Sequence, residues 1–119
     1  MVKQIMIWVT SGPDNPEKAV LPFIIANAGF VHDAKVYVML AGSGVWLAKK
    51  GVAEHVNCCK WKLQDLLNNF LESGGELVVC SPCMQERDMS EEELIDGARI
   101  GAAVEVLQIA SECDVVLTF

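Results

Sequence analysis

Two thiols two residues apart, Cys80 and Cys83, stand where a short apolar run gives way to a turn, in Leu77-Val78-Val79-Cys80-Ser81-Pro82-Cys83. A free thiol has a pKa near 8.5, so only about 3% is thiolate at pH 7. Lowering that value by about two units would raise the thiolate share to roughly three quarters, for about 2.7 kcal/mol of differential stabilisation. The N–H groups of a following helix and Arg87 are the available sources of such a shift. Glu86, Asp88 and Glu91-Glu92-Glu93 oppose it by placing negative charge nearby. The chemistry open to such a pair is nucleophilic sulfur exchange. The plain alternative is that both are small buried apolar side chains.

The elements that position these thiols read as alternating strands and helices. Lys3 to Thr10, Lys35 to Leu40, Glu76 to Cys80 and Asp114 to Phe119 have the apolar character of buried strands. Asn15 caps a helix that has Pro16 at its first position and ends at Gly29, and Pro22 is expected to kink it. Gly42-Ser43-Gly44 reads as a tight turn into a short helix from Val45 to Lys50. Leu63, Leu66, Leu67, Phe70 and Leu71 form one apolar stripe on a helix from Trp61 to Glu72, which Gly74-Gly75 stops. Met84 to Met89 reads as a single helical turn, Ser90 with Glu93 as a capping box, and Ala98 to Glu112 as a helix. Leu94-Ile95-Asp96 fits either helix or a short strand. In an open parallel sheet, reactive groups gather at the carboxyl ends of strands, which is where Cys80 falls.

The bulk numbers bound the class. At 119 residues the chain is one domain, residues 1–119, with 52% hydrophobic residues, a surplus for which subunit contacts are the usual outlet. No apolar run reaches the roughly 18–20 residues of a membrane span, and the N-terminus lacks a signal-peptide pattern, so a cytoplasmic protein is expected. A net charge of −7 with scattered Lys and Arg argues against nucleic acid. Five cysteines in a reducing compartment point to free thiols rather than a disulfide framework.

Other groupings carry less. Cys58-Cys59 with Cys80 and Cys83 fits zinc spacing poorly, and neither His32 nor His55 completes a set, so no metal and no cofactor is expected. Gly42-Ser43-Gly44 lacks the rest of a phosphate-binding motif. Glu91-Glu92-Glu93 is explained by a first helical turn that favours negative charge. Cys113 reads as packed rather than reactive, and no Ser/His/Asp set is evident.

Taken together, the chain resembles the small DsrE/DsrF-like family of YchN- and TusD-type sulfur-relay proteins. The similarity rests on Asn15-Pro16-Glu17-Lys18-Ala19, Ala26-Asn27-Ala28, the Gly42 to Val45 turn, and Gly74-Gly75 with Val78 to Cys83. It rests also on Gly97 to Ala103 and on the closing Ser111 to Phe119. The resemblance implies an α/β fold, a three-layer α/β/α sandwich with a five-stranded, mostly parallel sheet, and favours a strand at Leu94 to Asp96. It implies a homo-oligomer, trimer or hexamer. It further implies a sulfur-carrier role in which Cys80 holds sulfane sulfur as a persulfide, exchanging with sulfur donor and acceptor proteins; Cys83, an addition found in only part of the family, is a candidate partner that thiol exchange would allow to resolve the persulfide. Two other readings stay open: a Cys80–Cys83 redox switch, and a non-catalytic oligomeric module that binds a ligand or partner.

Overall fold

Strands that are apolar at nearly every position must be covered on both faces, and this requirement sets the architecture. The computed structural model describes residues 2–119. Five strands, β1 (Gln4–Val9), β2 (Lys35–Leu40), β5 (Glu76–Cys80), β6 (Ala98–Gly101) and β7 (Val115–Thr118), form one all-parallel sheet in the order β6-β5-β2-β1-β7. Two short strands, β3 (Asn57–Cys58) and β4 (Trp61–Lys62), form a separate antiparallel hairpin. The helices are α1 (Pro16–Ala28), α2 (Leu63–Glu72), α3 (Ser81–Glu86) and α4 (Ala103–Ser111).

The two sheet faces are covered unequally. One face presents Ile7, Val9, Val36, Val38, Leu40, Leu77 and Val79 to α1 and α2, and this is the main core. Phe70 from α2 is fully buried at its centre, edge-on to Phe23 at 5.9 Å and beside Phe30 at 5.8 Å. The apolar stripe of α2 is used as expected, with Leu63, Leu67 and Phe70 buried and Leu66 and Leu71 packed partly against them. Asn27 ties α1 to α2 by donating to the Leu66 carbonyl at 3.1 Å. The opposite face presents Met6, Tyr37, Met39 and Val78, and only Val106 and Ile109 of α4 join them in a buried cluster.

Local signals explain most element ends. The Asn15 side chain accepts from the Lys18 N–H at 3.3 Å, with Pro16 leading the helix. Pro22 lies buried within α1, which runs on to Ala28. At the start of β7, the Asp114 carboxylate accepts from the Lys3 and Gln4 N–H groups at 2.8 and 2.9 Å. These two donors hold Asp114 below its ordinary carboxylate range and align β7 on β1.

Four expectations are corrected. The helix over Trp61 to Glu72 begins at Leu63, because Trp61 and Lys62 pair with Cys58 and Asn57. The fourth strand of the sheet is Ala98–Gly101, not Leu94 to Asp96, where Leu94 makes only an isolated bridge to Lys49. The helix expected from Ala98 therefore starts at Ala103. Ala98-Arg99-Ile100 has helix-forming composition, but the open edge of β5 offers pairing partners that override propensity. The helix placed at Met84 to Met89 begins at Ser81.

No helix among the described residues is long and apolar enough to cross a membrane.

Phe70→Ala should cost about 3–5 kcal/mol, because the ring is fully enclosed and packs against Phe23 and Phe30 from two other helical segments. Urea unfolding followed by circular dichroism checks this, with a lowered midpoint and an unchanged slope expected.

Candidate functional site

The Cys80–Cys83 pair is assembled by the junction of β5 with α3. Cys80 is the last residue of β5, paired in register with Gly101, and it is also the N-cap of α3 with extended backbone angles. Pro82 stands in the first turn, where its missing N–H costs nothing. Cys83 is thus the third residue of the helix. The N-cap and third positions are the two whose side chains meet at any helix start, which is why a capping box uses them. Here the two sulfurs meet, at 2.6 Å. The spacing visible in the sequence becomes a contact only because the helix starts at Ser81.

A second segment closes on the pair from the β2 side. The backbone N–H of Gly42 donates to the Cys83 Sγ at 3.2 Å. Gly42 has φ +54°, a left-handed conformation that disfavours a side chain. Two residues on, a Cβ at Gly44 would collide with the Val9 carbonyl oxygen, so only glycine lets the 3-10 turn Gly42–Ala48 lie flat on the end of β1. The Gly42-Ser43-Gly44 turn therefore serves the thiols. Arg87 caps the other side, its Nη1 donating to the Cys83 carbonyl at 3.1 Å.

The acidic run has the structural role expected of it. Ser90 and Glu93 form a capping box on a single 3-10 turn, Glu91–Glu93. The Ser90 N–H and Lys49 hold the Glu93 carboxyl below its ordinary range. Lys49 reaches it at 3.2 Å, and the Lys50 N–H donates to the Glu93 carbonyl at 2.8 Å, which fastens this segment to the Gly42–Ala48 turn.

Electrostatically, burial pushes the Cys80 thiol above its ordinary value. The neighbouring Cys83 sulfur pushes in the same direction, while the Cys83 backbone N–H and Arg87 pull less strongly the other way. The helix start thus does not overcome desolvation, and Cys80 is not an activated thiolate in the isolated chain.

Cys80 is half-buried and reaches both faces of the sheet. On the thinly covered face it borders a cavity of about 200 Å³ between the carboxyl ends of the strands and α4. Trp8, Met39, Gly101, Val106 and Leu107 line it with almost wholly apolar surface. No local pattern in the chain marks this cavity, because its walls come from four strands and a helix far apart in sequence. The other sulfurs stand elsewhere. Cys113 packs partly against the same face, and burial raises its pKa. Cys58 and Cys59 lie in the β3–β4 hairpin and do not join Cys80 and Cys83 in a four-thiolate set. Among the described residues, the one cluster of three metal-capable donors is Glu17, Cys58 and Cys59.

Comparison with known proteins agrees with this architecture. The model of the DsrE/DsrF-like family matches residues 3–119. The chain belongs to this family. An uncharacterized protein of Methanocaldococcus jannaschii is 31% identical over 115 residues, spanning 95% of this chain and 96% of the relative. An uncharacterized protein of Methanopyrus kandleri is 28% identical over 120 residues, spanning 97% and 93%. Among solved structures, the ychN protein from E. coli superposes with a TM-score of 0.84 at 24% identity, covering 98% of this chain and 99% of that one. A protein of unknown function from Methanobacterium thermoautotrophicum superposes with a TM-score of 0.72 at 13% identity, covering 97% and 98%. At these identities the structural likeness speaks for the fold.

Because burial and the Cys83 sulfur both raise the Cys80 pKa, alkylation of Cys80 should accelerate with pH through a midpoint above that of an ordinary free thiol. Cys83→Ala removes the second of these causes and should move the midpoint down. Peptide-resolved iodoacetamide rates across a pH series measure both.

Proposed function

We propose that this protein is a persulfide sulfur carrier that accepts sulfane sulfur on Cys80 and passes it to the thiol of a partner protein. The observation that carries this reading is Cys80 at the lip of an apolar cavity of about 200 Å³, with the Cys83 sulfur 2.6 Å from its own. Family membership adds to it, since the family includes sulfur-relay proteins. In the first step the Cys80 thiolate attacks the outer sulfur of a donor persulfide, R–S–SH. A new S–S bond forms, the donor's S–S bond breaks, and the products are Cys80–S–SH and R–S⁻. An acceptor thiolate, R′–S⁻, then takes the outer sulfur and leaves Cys80–S⁻ with R′–S–SH. The cavity gives the outer sulfur an apolar place away from bulk water. Burial disfavours ionisation of Cys80, so a docked donor that supplies positive charge or a base would aid uptake.

The same contact favours a second reading, a Cys80–Cys83 redox switch. The Cys83 thiolate can attack Cys80–S–SH at the inner sulfur, which forms the Cys80–Cys83 disulfide and releases HS⁻. Return to the dithiol then requires an external dithiol reductant.

The carrier is proposed to act as a homo-oligomer, a trimer or hexamer. Support comes from the thinly covered face, where Val104 and Leu107 of α4 are 83% and 72% exposed. Val116 and Leu117 of the edge strand β7 are also exposed. An exposed apolar helix face beside an open strand edge is a surface that proteins ordinarily cover.

Incubation with a persulfide donor, followed by peptide mass spectrometry, tests the chemistry. A gain of about 32 Da on the Cys80 peptide, together with loss of labelled-sulfur transfer in Cys80→Ser, is the expected result. Unchanged transfer in that variant would move the site elsewhere. A reversible loss of about 2 Da bridging Cys80 and Cys83 would favour the switch. Neither product, across several donors and oxidants, would leave a non-catalytic binding module. For the assembly, light scattering on the wild type should give a mass of three or six chains, and Leu107→Glu should reduce it.

A further inference from the structure

The second thiol pair, Cys58 and Cys59, is far from idle in its geometry. Neighbouring side chains on an extended strand point to opposite sides, so adjacent cysteines ordinarily hold their sulfurs apart. Here the chain turns between β3 and β4, and Cys59 adopts φ +59°, the left-handed conformation that a residue with a side chain seldom takes. That turn swings both sulfurs to the same side, 3.2 Å apart. The first turn of α1 packs against the hairpin and brings a third donor, the Glu17 carboxylate. The two sulfurs and the carboxylate oxygen all lie within 4.8 Å of one another. Beneath them is a second cavity, of about 170 Å³, whose floor is Val20, Leu21, Ile24 and Trp61.

Sulfur ligands select thiophilic ions, and a carboxylate beside them suits Zn²⁺, which accepts Cys and Glu alike, better than Cu⁺, which prefers sulfur alone. Tetrahedral Zn²⁺ with ordinary Zn–S and Zn–O bonds needs its donors about 3.6–3.8 Å apart. The two sulfurs, 3.2 Å apart, need to open by about 0.5 Å, and the carboxylate oxygen already lies within 4.8 Å of both.

We propose that Cys58, Cys59 and Glu17 form a surface Zn²⁺ site, with two thiolates, one carboxylate and a fourth position left to solvent. The site is separate from Cys80 and Cys83. It joins the β3–β4 hairpin to the start of α1, so an ion bound there cross-links two segments distant in the chain.

The test uses the reduced Cys80→Ser/Cys83→Ser chain, so that its failure would leave the sulfur-carrier reading untouched. Zn²⁺ is titrated in competition with a chromophoric chelator, and Co²⁺ is added separately to read the thiolate charge-transfer band. One Zn²⁺ per chain is expected, with the charge-transfer band of two thiolates. Adding Cys58→Ser or Cys59→Ser should abolish the one-to-one endpoint. Glu17→Gln should weaken binding at least about tenfold, and because Glu17 is exposed this variant keeps the test decisive if a cysteine variant folds poorly. Absence of stoichiometric Zn²⁺, an endpoint that survives loss of either cysteine, or an affinity indifferent to Glu17→Gln would each overturn the three-donor site.

Discussion

A parallel sheet with apolar residues on both faces cannot leave either face in water, and the rest of this structure follows from how unevenly that demand is met. Each of β1, β2 and β5 sends alternate side chains to opposite sides. One side receives α1 and α2 and closes into a core around Phe70. The other receives α4 alone, which crosses from β6 at one edge to β7 at the other. A helix of nine residues is too narrow to cover five strands. The shortfall appears both as the cavity beside Cys80 and as the exposed apolar residues of α4 and β7. The cavity beside Cys80 and the exposed apolar surface are thus two results of the same imbalance.

The electrostatics at Cys80 follow from the same geometry. A thiol at a strand end bordered by apolar walls loses the solvation that ionisation needs, and its neighbour's sulfur adds to the penalty. One backbone N–H and Arg87 do not reverse the balance. The backbone around the pair is nonetheless heavily constrained. Gly42 supplies an N–H to Cys83, Gly44 permits the close approach of that turn to β1, and the Ser90–Glu93 turn braces it from behind. The protein holds the two sulfurs in place while withholding charge from Cys80, an arrangement suited to a thiol whose reactivity is set by what docks against it.

Two cysteine pairs reach sulfur–sulfur contact by different backbone devices. Cys80 and Cys83 use a helix start, where the N-cap and third positions converge without strain. Cys58 and Cys59 use a left-handed residue in a tight hairpin turn. The first pair lies beside a cavity within the fold, and the second lies on the surface against a carboxylate. The two pairs therefore differ in their surroundings, apolar walls beside Cys80 and a carboxylate beside Cys58 and Cys59.

Much of this was legible in the chain itself. Local signals set β2, β5, the Asn15 cap and the α2 stripe, because burial on both strand faces and helical periodicity leave marks that neighbours in sequence can carry. The spacing of Cys80 and Cys83 at a strand end was enough to single them out. Other features left no such mark. Ala98–Gly101 became a strand because β5 had an unpaired edge beside it, against its own helix-forming composition. The contact of Gly42 with Cys83, the cavity wall from Trp8 to Leu107 and the meeting of Glu17 with Cys58 and Cys59 join segments dozens of residues apart. Sequence determined which residues could form strands, helices and thiol pairs, since those depend on local sterics and burial pattern. Tertiary structure alone decided what surrounds each sulfur, because burial, charge and donors at those sites come from chain segments that meet only after folding.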